Sequence, residues 1–389
     1  MWDRFSPVEM ERRRSLARSL MDERGLEALV VHGNSGVNRH NQANVFWLSN
    51  HLDLHHCYLV LPRDGEATLL VGLANHVPNA REVSDVANVD WGGYRPAEKV
   101  AAALGDARRV GLVGVNATFG VGMPYVHYLE LRERVPELVD VTREFQRLRL
   151  VKSDEEIAWL RKAAELSDAA LLSLRDAARP GATEFELVAA AEDASKRRGG
   201  MPHITFLRSM PMDAPTGCVP AQNPSGRRLE RGDVVITEVS ASHWGYSGQI
   251  HRPIFVSAEP SEEWLHLFEV ARTAYERLVA AVHTGATEAE AIEAASVIPE
   301  NGYAIYDDLL HGYGVDILPP LVDRTRLTPS DKVSLGACAV FERGMAVVLQ
   351  PNPITQDERM GLQLGALTVV GDDVAECLHS IPPEPLLAG

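Results

Sequence analysis

Arg179-Pro180-Gly181-Ala182-Thr183-Glu184-Phe185-Glu186 recurs 104 residues later as His283-Thr284-Gly285-Ala286-Thr287-Glu288-Ala289-Glu290. In both copies a helix ends at glycine, and threonine caps the next helix with glutamate three residues on. Upstream, Ala170, Leu174 and Ala177 match Ala274, Leu278 and Ala281 in the same register. One reading is that Gly-Ala-Thr-Glu is a common helix-turn-helix solution that recurs by itself. The other is a duplicated α+β half closing around a central pocket.

Lys152-Ser153-Asp154-Glu155-Glu156 precedes the first copy. Ser153 can cap a long helix there, with Glu156 closing the box and Ile157, Leu160, Ala164 and Leu171 supplying its apolar stripe. A second domain therefore starts at residue 151 and runs to 389. The preceding 1–150 opens with a helix capped at Ser6-Pro7-Val8-Glu9 and stopped by Gly25. Short β-like runs follow at Leu26–Val31, Val45–Leu48, Cys57–Leu61, Thr68–Val71 and Val110–Val113, with helical stretches around 97–104 and 125–134. That alternation predicts an α/β domain.

At 389 residues, two domains are the default expectation. The net charge of −16 argues against a nucleic-acid partner, which needs clustered Lys and Arg. Cys57, Cys218, Cys338 and Cys377 lie far apart with no CxxC pair and read as reduced core residues. No apolar run approaches a membrane span and the N-terminus lacks a signal-peptide pattern, so a cytoplasmic protein is expected.

Behind each repeat lie β-rich segments: Gly232–Val239, Tyr246–Phe255, His311-Gly312-Tyr313-Gly314-Val315-Asp316, Gly344–Pro351 and Gly361–Leu364. Their order and spacing resemble the pita-bread family of prolidases, aminopeptidases P, methionine aminopeptidases and creatinases. The first domain likewise resembles the creatinase/prolidase N-terminal domain. Peptidases of that family hold two divalent metals with two aspartates, one histidine and two glutamates. The resemblance places those positions on Glu238, Gln249, His311, Gln350 and Gly365, keeping the family's gap of eleven between the first two. Two close divalent ions need several anionic oxygens, and here one carboxylate and one imidazole remain. The expectation is a site with no metal and no cofactor, a single weakly held ion on Glu238 and His311 being the alternative. Creatinase is the family precedent for working without metal, but Ala221 and Gln249 depart from its pattern and make creatine a poor substrate.

What remains for chemistry is His311, Glu238 and His251. Histidine both takes and gives a proton near neutral pH, and His251 follows Gln249 by two, hence on the same face of a strand. Glu238 suits an acid/base or cation-anchoring role, or equally a structural ion pair with Arg252. Gln249, Gln350, Arg208, His203 and Tyr313 are candidate substrate contacts. By resemblance, the lid loop of a neighbouring subunit's N-domain adds His55 and His56. Asp307 and Asp308 are rival ligands if the alignment shifts. His243-Trp244-Gly245-Tyr246 reads as a hairpin turn.

The function expected from these residues is metal-independent hydrolysis of a C–N bond in a small polar molecule, creatinase-like or ectoine-hydrolase-like. It is not that of a typical metallopeptidase. The alternatives are a metal-free lyase, decarboxylase or cyclase, a non-catalytic binding protein, and a metal-dependent Xaa-Pro peptidase. A homodimer follows from the resemblance.

Overall fold

A computed structural model describes residues 2–34, 42–115, 122–323 and 340–389. The chain divides into two compact units, Met1–Arg149 and Leu150–Gly389.

The first unit begins with α1 (Pro7–Arg24), capped by the Ser6 side chain and closed by Gly25 in the left-handed region. Six strands follow: β1 (Ala28–Gly33), β2 (Cys57–Pro62), β3 (Thr68–Val71), β4 (Asn88–Trp91), β5 (Arg109–Val113) and β6 (Glu137–Asp140). They form one mixed sheet in the order β4-β3-β2-β1-β5-β6. Both faces of the sheet are covered, Leu29 and Val31 packing with Trp47 and Phe145 and Val30 with Val100 and Leu131. The stretch expected as a strand at Val45–Leu48 is instead helix α2 (Ala43–Ser49), ended by Asn50 at φ 60°. It is buried on every side, and a short apolar run without polar alternation carries no period to separate helix from strand.

In the second unit all three expected capping boxes form, at Ser153/Glu156, Thr183/Glu186 and Thr287/Glu290. The repeat is thus seen as two helix pairs, 154–177 with 184–196 and 262–281 with 288–294. The strands that matter for the site are β7 (Met201–Pro211), β8 (Asp233–His243), β9 (Tyr246–His251) and β10 (Ile254–Val256) from the first half. The second half supplies 308–312, 318–323, 346–349 and 365–370 to the same ten-stranded sheet. Strands β8 and β9 meet at His243 and Tyr246, with Trp244 and Gly245 both at positive φ, the backbone of a two-residue hairpin whose twist matches its strands. Cys57 and Cys218 are buried and free, whereas Cys377 is exposed, against the expectation of a core residue; Cys338 lies outside the described residues.

Candidate active site

The hairpin sets the register that builds the site. Ser240 of β8 lies opposite Gln249 of β9, so Glu238, Ser240, Gln249 and His251 share one face. Glu238 alone of the eleven residues of β8 is not buried, and Gln249 Nε2 donates to its Oε1 at 2.8 Å. The carboxyl itself is ringed by protein atoms. That burial, and then the charge of Asp307, push its pKa up to about 8, so it is a neutral acid at pH 7.

The second half of the sheet brings His311, 3 % exposed, into the same electrostatic neighbourhood. Its Nδ1 lies 3.2 Å from the Gly312 carbonyl. Burial lowers its pKa, partly offset by that carbonyl, Asp307 and Gln350. His251 is fully buried, and burial, followed by the charges of His311 and Arg252, drops its pKa to about 3. Both rings are therefore neutral at pH 7. Tyr313 closes the group, its hydroxyl 3.3 Å from Ser240 Oγ and its ring 5.3 Å from that of His311 and 6.1 Å from that of His203. Gln350 gives Nε2 to Asp308 Oδ1 at 3.0 Å.

Arg208 of β7 lies opposite Ile236 of β8, and its Nε donates to the Val219 carbonyl at 3.0 Å. His55 and His56 belong to the first unit, where they line a pocket of about 240 Å³ with Tyr58, Gly72, Tyr94 and His127. There His56 Nδ1 sits 3.1 Å from His32 Nε2, and Tyr58 OH 2.7 Å from His127 Nδ1. The ion pair weighed between Glu238 and Arg252 does not form. Arg252, 1 % exposed, instead donates at 2.8 Å to the carbonyls of His251, Gly365, Ile381 and Pro382. No spacing rule in the sequence could find it, because its partners are backbone atoms of the neighbouring His251 and of two distant segments. Asp307, whose charge reaches Glu238, His251 and His311, had entered only as a rival ligand.

Residues 158–372 match the profile of metallopeptidase family M24, and 13–151 that of the creatinase/prolidase N-terminal domain. The chain belongs to metallopeptidase family M24. It is 26 % identical over 336 residues to an Xaa-Pro dipeptidase of Pyrococcus furiosus, covering 85 % of this chain and 87 % of that one. A prolidase structure from Pyrococcus horikoshii superposes with a TM-score of 0.79 at 23 % identity, covering 95 % and 99 % of the two chains. An X-Pro aminopeptidase structure from Thermotoga maritima superposes equally well at 0.79 and 19 % identity, covering 96 % and 99 %. The fold is the expected one: a creatinase-type N-terminal domain followed by a pita-bread domain.

The named relatives contradict the expected function. Those matched across most of the chain are named Xaa-Pro dipeptidases, against the expectation of metal-independent C–N hydrolysis of the creatinase or ectoine-hydrolase kind, and the family is one of metallopeptidases, against the expectation that the protein stands apart from them. That expectation rested on which donors are missing, and missing donors do not say which bond is broken.

The donor set can still be tested against the two metal ions of M24 peptidases. Gln249 turns its N–H toward Glu238, Gln350 turns its N–H toward Asp308, and a Cβ on Gly365 would lie 2.3 Å from the Leu349 carbonyl oxygen, so no side chain fits there. Neutral carboxamides do not offset the repulsion of two divalent ions. These residues do not fit a dinuclear centre. Among the described residues no helix is long and apolar enough to cross a membrane.

Proposed function

We propose that this chain hydrolyses the amide bond of a dipeptide-sized substrate, the class of reaction for which its Xaa-Pro dipeptidase relatives are named. The extent of that likeness, 85 % of the chain, supports the reaction class. The observation that carries it to particular residues is the Glu238 carboxyl, ringed by protein atoms, raised in pKa by that burial and held by Gln249.

Amide cleavage needs a proton on the leaving nitrogen and a base for the attacking water. Glu238 is protonated up to about pH 8 and supplies the first. His311, neutral at pH 7, takes the proton of the water. As the C–N bond breaks, the nitrogen leaves with the proton of Glu238, the carbonyl carbon keeps the hydroxyl, and the proton on His311 returns the pair to its starting state. Tyr313 and Gln350 lie beside the His311 ring. The reading includes a reduced ligand set that retains fewer than two divalent ions per chain, and a cytoplasmic homodimer as the resemblance implies.

Incubating the purified protein with a pool of prolyl and non-prolyl dipeptides, and measuring free amino acids together with divalent-ion content, tests this. Amino-acid release that is lost in Glu238→Gln, with fewer than two ions per chain, is the expected result. An unchanged pool contradicts the reaction, and two ions per chain contradict the reduced ligand set.

A further inference from the structure

Gln249 is 2 % exposed, and while its Nε2 is engaged by Glu238, its Oε1 is buried without a hydrogen-bond partner. The bond to Glu238 fixes the carboxamide plane, so this oxygen has a set direction. Buried carbonyl oxygens are almost always satisfied, and one that is not asks for a donor from outside the fold.

We propose that the substrate presents an N–H donor to Gln249 Oε1, so that this chain favours dipeptides whose amide nitrogen carries a hydrogen over prolyl and N-methylated ones. The proposal rests on the dipeptide reading and narrows it. Gln249 is bonded directly to Glu238, so an N–H seated on its oxygen belongs to a group within reach of the acid. The scissile amide is such a group. A prolyl nitrogen has no hydrogen and leaves the buried oxygen unpaired, and sites built to hydrogen-bond a group reject analogues lacking it. The α-ammonium of the dipeptide is a second source of the same N–H chemistry, and the substrates below separate the two.

The test compares kcat/KM for Ala-Ala, Ala-sarcosine, Ala-Pro and N-acetyl-Ala-Ala in the wild type and in Gln249→Met, which keeps the length of the side chain and removes the acceptor. The expected result is Ala-Ala ahead of Ala-sarcosine and Ala-Pro by about tenfold or more, the gap closing to about threefold or less in Gln249→Met. Equal values for the first three with a loss confined to N-acetyl-Ala-Ala would keep the N–H contact and assign it to the ammonium. Equal values for all four overturn the proposal and leave the dipeptide reading standing. No cleavage of any of them overturns that reading and this proposal with it. If Gln249→Met does not fold, the wild-type ranking decides alone.

Discussion

Gln249 Nε2 donates to Glu238 Oε1 at 2.8 Å across the hairpin that joins their strands. In a relative with two aspartates at these positions, both side chains would present anionic oxygens to a metal pair. Here one side chain holds the other, and the pair is neutral up to about pH 8.

That neutrality sets the pH dependence. The acid form of Glu238 is lost as pH rises through about 8, so turnover should show an alkaline limb near that value. The same raised pKa means that stability contributed by the protonated carboxyl is present below its ordinary 4.5 and is lost as pH rises toward 8. Glu238→Gln should abolish turnover, by about 100-fold or more, and should lose less stability than the wild type between pH 5 and 8. A rate profile and melting curves over that range check both.

Gly365 is required by a close approach. Its Cβ position lies 2.3 Å from the Leu349 carbonyl oxygen and 2.8 Å from Gln350 Cα. Gly365→Ala should cost about 1 to 3 kcal/mol in urea unfolding, and Gly365→Glu should fail to fold rather than rebuild a ligand. A Gly365→Glu protein of native stability would show that the strands part more easily than the packing implies.

Arg252 ties the strand of His251 to Gly365 and to the segment at Ile381 and Pro382. Arg252→Ala leaves several buried carbonyls unsatisfied and should cost about 3 kcal/mol or more. Arg252→Lys should recover part of that, because an ammonium cannot span the same acceptors. Denaturant unfolding of the two variants gives the comparison.

The first unit should be acid-labile. Burial, followed by the charge of His56, holds the His32 pKa at about 3. A histidine depressed in this way contributes stability that is complete above its unfolded pKa of 6.5 and is lost as pH falls toward 3. Wild type should exceed His32→Gln in melting temperature at pH 7 and lose that lead by pH 4. A lead that is constant with pH would contradict the assignment.

What could be read from the sequence was local chemistry. Capping boxes at Ser153, Thr183 and Thr287 are written in four consecutive residues and form as expected. The gap of eleven between Glu238 and Gln249 entered through the resemblance, and the hairpin turn read at His243–Tyr246 forms, setting Ser240 opposite Gln249. The helix at Ala43–Ser49 was not legible, since burial on all sides erases its period. Nor was the role of Arg252, whose acceptors lie up to 130 positions away and carry no side-chain signature. The reaction was misjudged for a different reason. Substituted ligands describe what a site has lost, and the relatives matched along most of the chain are named Xaa-Pro dipeptidases.

The most direct test of the central claim is the steady-state release of free amino acids from the best dipeptide by wild type, Glu238→Gln and His311→Ala side by side, with circular dichroism to show that all three are folded. Release by the wild type that falls to background in both variants is the result expected of a dipeptide hydrolase centred on these two residues; release that survives in either variant, or none from the wild type, would contradict it.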